Sequence, residues 1–173
     1  MKNLILFYLT AFFYSSICLF TFWGCEKYPE KIQANLNKLK STNACSGCDL
    51  TEVKLIGFDL KNVNLSGFAN LSRVDLTNAN LVNGNLTGAG LTGANLTGAN
   101  LTGANLTGTN LTGTNLTGTN LTGANLTGAN LTGANLTGAN LTEVILKGAT
   151  MIGAILTDDQ STLLQTSGLL IVP

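Results

Sequence analysis

The chain has 173 residues, the length of one ordinary domain. Nine Lys/Arg balance nine Asp/Glu, there is no His, and 10% of residues are charged, against about 25% in an average chain. This composition excludes an electrostatic nucleic-acid binder, which needs a basic face, and removes the commonest general base and metal ligand. Charge and aromaticity are also unevenly placed. Nine of the eleven aromatic residues precede residue 29, and the 67 residues from Leu76 to Thr142 carry no charged side chain.

Residues Leu4 to Trp23 form twenty positions without charge, enough to span a bilayer as a helix. We read residues 1–25 as a signal peptide or membrane anchor and set them apart from the fold. Phe22-Trp23-Gly24-Cys25 resembles a bacterial lipobox, in which a small residue precedes a cysteine that is lipidated. Gly24 and Cys25 fit that pattern, whereas Phe22 and Trp23 depart from its preference for Leu and a small residue. Lipidation at Cys25, an uncleaved anchor and ordinary cleavage all stay open. Topology stays open too. Lys27, Lys31 and Lys38 follow the segment and Lys2 precedes it, which the positive-inside rule alone reads as a cytoplasmic C-terminal side. A short leader ending in a cysteine favours export.

Residues 26–47 read as a linker and an N-terminal capping helix. Pro29 to Lys40 predicts the helix: proline is tolerated in a first turn, and Ile32, Leu36 and Leu39 share one face. Such a basic amphipathic helix suits either a membrane surface or the open end of a repeat, and the second reading is preferred. Cys45-Ser46-Gly47-Cys48 lacks the second pair or the His that a zinc site needs, and no thioredoxin-like alternation surrounds it. The remaining reading is a buried cysteine and a neighbour that form a local disulfide in an exported chain.

A five-residue repeat dominates the rest. From Ala94 the chain reads Ala-Asn-Leu-Thr-Gly three times, Thr-Asn-Leu-Thr-Gly three times, then the alanine form again. The central Leu recurs at 50, 55, 60 and 65, slips by one to 71, and continues every five residues to 156 with Met151 once, giving 22 units. As a helix, successive leucines would rotate by about 140° and scatter. As a flat strand they would alternate faces, because five is odd. The period is satisfied by a corner every five residues, so that four sides close a square coil. Leu and the small residue two before it then point inward: Ala in most units, Thr at 109, 114 and 119, Val at 53, 63 and 74, and Cys at 48. Gly and Asn supply the corners. At the usual strand spacing the coils make a column roughly 26 Å tall. The slip predicts a bulge near Phe68-Ala69, and Phe58 and Phe68 are expected to fill space around it.

This pattern of a small residue, Asn or Asp, Leu, then two variable residues resembles the pentapeptide-repeat family over Cys48 to Thr157. The resemblance implies an all-β fold, a right-handed quadrilateral parallel β-helix over 48–157, with short helical caps at both ends. The C-terminal cap, 158–173, is announced by the capping-box spacing Thr157-x-x-Gln160, with Leu163 and Leu164 over the last coil and Gly168 as a helix stop.

A filled square coil without His leaves no pocket and no acid–base pair, so no enzyme, metal, cofactor or small-molecule substrate is expected. Some members of the family resemble acidic duplex DNA and protect gyrase. That role needs carboxylates in the outward columns, where this chain has Asn, Thr and Gly. Stacked Thr97, Thr117 and Thr137 raise ice- or crystal-surface binding as an alternative, although all four walls carry the same threonine. The thirteen Asn-Leu-Thr/Ser sequons read as a by-product of the period. The sequence-level expectation is a non-enzymatic bacterial cell-envelope scaffold, exported or membrane-tethered, with an unidentified protein partner and no nucleic acid.

Overall fold

The computed structural model describes residues 28–166. The leader 1–25 with Cys25, and Gly168, lie outside the described residues. Two helices, α1 (Glu30–Thr42) and α2 (Asp158–Thr166), bracket a stack of coils.

The unit around Leu96 explains the stack. Leu96 to Ala99 form a β-turn closed by the Ala99 N–H donating to the Leu96 carbonyl at 3.0 Å. Its third residue, Gly98, has φ +65°, the left-handed value that a type II corner requires and glycine adopts without strain. Asn100 then extends along the next side. The Leu96 N–H donates to Asn115 in the next coil at 2.8 Å, the Asn115 N–H donates back to Ala94 at 2.9 Å, and Gly98 donates to Thr117 at 3.0 Å. The fifth donor, the Thr97 N–H, is taken by the Asn95 side chain at 3.2 Å. All five N–H groups of a unit are therefore paired, which is the condition for stacking a backbone this tightly.

Parallel bridges join residues twenty apart, as in Asn95↔Asn115↔Asn135, so four five-residue sides make one coil. Each bridge is a single residue. No longer strand occurs among the described residues, because every side spends two of its five positions on the corner. The expected β architecture is thus carried by stacked bridges and turns rather than by continuous strands.

The slip is accommodated in one coil. Asp49↔Asn70, Lys54↔Asp75, Asp59↔Asn80 and Asn64↔Asn85 are each twenty-one apart, and from Asn70↔Gly90 onward the spacing is twenty. The extra residue is Phe68, at φ +63° in a three-residue turn and 85% exposed. Phe58 occupies an inward position but is 36% exposed, with the Lys40 ammonium 5.8 Å from its ring centroid. Neither ring fills the core. A coil lined by one Leu and one small residue per side has no volume for phenylalanine.

Leucines from Leu50 to Leu146 form the buried interior with their small partners. Thr109, Thr114 and Thr119 are fully buried, and each hydroxyl donates to the carbonyl of a leucine one coil back (Leu86, Leu91 and Leu96) at 2.7–2.9 Å. Gly84 takes an inward position directly against Val63 of the neighbouring coil. A Cβ there would lie 3.3 Å from Val63 Cγ1 and 3.0 Å from the Leu81 carbonyl. That carbonyl closes Gly84's own turn, as in every alanine unit, so the conflict is with Val63. Gly84→Ala is expected to be less favourable in the wild type than in a Val63→Ala background, where the space is open. A double-mutant cycle by urea unfolding checks this, and additive costs would refute the pairing.

Each cap supplies bonds that a missing coil would make. In α1, Leu36 and Leu39 are buried on the first coil, and Asn43 closes the helix at φ 50°. Asn35 Nδ2 donates to the Asp49 carbonyl at 2.9 Å, Asn43 Nδ2 to the Lys61 carbonyl at 2.8 Å, and the Lys54 N–H donates to the Tyr28 hydroxyl at 3.0 Å. At the other end, Gln160 completes the capping box. Its Oε1 accepts the Thr157 N–H at 2.8 Å, and the Thr157 hydroxyl accepts the Gln160 N–H at 3.3 Å. Its Nε2 also donates to the Leu136 and Ala139 carbonyls at 2.8 and 2.7 Å. Leu164 is buried beside it. The helix predicted at Pro29–Lys40 begins one residue later and runs two residues further, with Pro29 at the N-cap.

Candidate interaction surface

The outward columns are built from a paired motif. In every unit from Asn95 to Asn140 the Asn Oδ1 accepts both the N–H and the hydroxyl of the threonine two residues on, the hydroxyl at 2.6–2.7 Å. This is the local side-chain capping that Asn and Thr favour in turns. The Asn-x-Thr spacing is its signal in the sequence, where threonine is otherwise indistinguishable from an ordinary surface residue. The walls consequently show amide N–H₂ groups and hydroxyl lone pairs, with the hydroxyl protons already committed. At Gly90, which stands where Asn would, Thr92 is left without that partner.

Charge is confined to the two ends. Arg73 and Glu52 stack at one corner, 2.8 Å apart and both well exposed, a pair worth little to stability. The Thr51 hydroxyl and N–H hold the Asp49 carboxyl below the usual carboxylate value, against a push from burial and with help from Lys31. Among the described residues no three His, Cys, Asp or Glu side chains gather as a metal site, and no helix is long and apolar enough to cross a membrane.

Cys45 and Cys48 are both buried and bonded to each other, with Cα atoms 5.3 Å apart. Cys45 takes the leucine position of a further unit and Cys48 the small position of the Leu50 unit, so the bond staples the first corner, where the Cys48 N–H donates to the Cys45 carbonyl at 3.2 Å. The repeat therefore starts at Cys45 rather than Cys48. Of the sequence-derived site residues, the structure brings these two together, and Cys25 lies outside the described residues.

A family model for pentapeptide repeats matches residues 45–67, 69–108 and 119–158 in 8 copies, and its first break falls at Phe68. The chain belongs to the pentapeptide-repeat family. Proteins of this family form right-handed quadrilateral β-helices and are generally non-enzymatic structural or interaction proteins. The chain is similar to Rfr23, a pentapeptide repeat protein of the cyanobacterium Cyanothece 51142, at 35% identity and TM-score 0.70, covering 73% of this chain and 99% of that one. It is also similar to a pentapeptide repeat protein of the Arabidopsis thaliana thylakoid lumen, at 29% identity and TM-score 0.47, with 82% and 83% covered. HetL, a pentapeptide repeat protein involved in heterocyst differentiation regulation in Nostoc sp. strain PCC 7120, is 30% identical over 66% of this chain and 70% of its own, at TM-score 0.41. No match was found among curated protein sequences.

Proposed function

We propose that the chain is a non-enzymatic scaffold of the bacterial cell envelope, exported and tethered through residues 1–25, whose right-handed coil presents uncharged walls to a protein partner. One observation carries this reading: from Leu76 to Thr142 the interior is filled by Leu and small residues, and the exterior holds no titratable group. That surface suits shape-directed contact and lacks the means for acid–base or metal chemistry. The walls also lack the carboxylates that a DNA mimic needs. The ice- or crystal-surface reading is weakened by the Asn–Thr pairing, which gives each threonine a structural reason to recur.

Fractionation with protease treatment of intact cells and of spheroplasts tests the reading. The expected result is a membrane-associated chain whose repeat becomes accessible only once the outer barrier is opened. A soluble, protease-shielded chain after spheroplast treatment would refute it. Labelled palmitate should enter the wild type and be lost in Cys25→Ser. Label persisting in Cys25→Ser would remove Cys25 as the attachment point.

A further inference from the structure

The exposed side of α1 lies away from the column that its other side caps, apart from the electrostatic reach of Lys31 to Asp49. At about 100° per residue, Lys31 and Lys38 lie on one ridge, roughly 200–220° around the helix from Leu36. Both are exposed, as are Ala34, Asn37 and Ser41 beside them. Glu30, in the first turn, is the helix's single carboxylate. Next to the ridge, Asn37, Lys38, Lys40 and Ser41 line an open depression. In sequence, the uncharged stretch Leu4–Trp23 ends six residues before Glu30 begins α1. Six residues reach at most about 20 Å, so any membrane holding that stretch lies within that distance of this basic face.

We infer that the outer face of α1 is a foot that seats the column on an anionic bilayer, with Lys31 and Lys38 meeting lipid phosphates. This rests on the tethered reading above and deepens it. The apolar face of α1 is spent on the first coil, so the helix does not embed in the acyl region. It meets the headgroups through charge, and the coils stack away from the surface.

The test uses the full chain reconstituted into vesicles of phosphatidylcholine alone and of phosphatidylcholine with phosphatidylglycerol, read by amide hydrogen exchange over residues 31–41. A lysine near an anionic surface shifts the seating equilibrium by about fivefold, so two shift it by up to about thirtyfold. Exchange in α1 should slow on the anionic vesicles, return to the neutral-vesicle rate in Lys31→Gln/Lys38→Gln, and return likewise at high salt. Both lysines are exposed, and an unchanged circular dichroism spectrum verifies that the variant folds. Equal α1 exchange on the two vesicle types, or equal slowing in the double variant, overturns the foot while leaving the tether intact. Failure of the chain to float with neutral vesicles refutes the tether instead.

Discussion

Leu116→Asp is expected to unfold the column, whereas Thr117→Asp one residue away leaves it folded. Leu116 is buried on a side sandwiched between two coils, and the carbonyls around it are acceptors that cannot solvate a carboxylate. The substitution forfeits about 1.5–3 kcal/mol of leucine burial and adds several more for an unpaired charge. That sum rivals the roughly 5–15 kcal/mol that holds a whole domain together. Thr117 points outward and gives up its hydroxyl bond to Asn115, a loss of about 1 kcal/mol. Urea unfolding followed by far-ultraviolet circular dichroism separates the two outcomes. Similar midpoints for both variants would contradict the inward assignment of leucine.

The second large effect belongs to Gln160. Gln160→Ala removes two donors from the last coil and one acceptor from the first turn of α2, for an expected loss of about 2–4 kcal/mol. Gln160→Glu should be worse at neutral pH despite its matching shape. It points a charged oxygen at the Leu136 and Ala139 carbonyls, where the amide had donated. Acidification restores one donor by protonating the glutamate, so Gln160→Glu should regain stability relative to Gln160→Ala as pH falls. Tm measured across pH tests the ordering. A glutamate variant as stable as wild type at neutral pH would show that these two bonds contribute nothing.

The period of five was enough to reveal the architecture, because an odd spacing of one leucine leaves few ways to bury every copy. It also placed Cys48 and the three inward threonines correctly, since position in the unit determines which way a side chain faces. What it could not convey was how neighbouring coils share space. Gly84 lies against Val63, twenty-one residues earlier, and nothing local marks the pair. Phe68 was expected to pack because it is large and apolar. In fact the slip expels it, since the coil closes over four leucines whether or not a residue is added. Gln160 was legible as half of a capping box, but its bonds to Leu136 and Ala139 depend on which turn of the column it reaches. The wall motif was visible as Asn-Leu-Thr, and its meaning emerged only when both side chains were seen bonded to each other.

The four-sided coil also makes chain length an angular quantity. One added unit of five residues would lift the C-terminal cap by about a quarter of the strand spacing, roughly 1.2 Å, and swing it by about 90° about the axis. Four added units would lift it by about 4.8 Å and return it to the same bearing. Near-identical units such as those from Ala94 to Gly138 are easily gained or lost in number, and neither cap would register the change, because each bonds only to its own terminal coil. The number of repeats therefore sets the compass direction of one end relative to the other, and variants differing by five, ten or fifteen residues would present the same walls with their ends facing different ways.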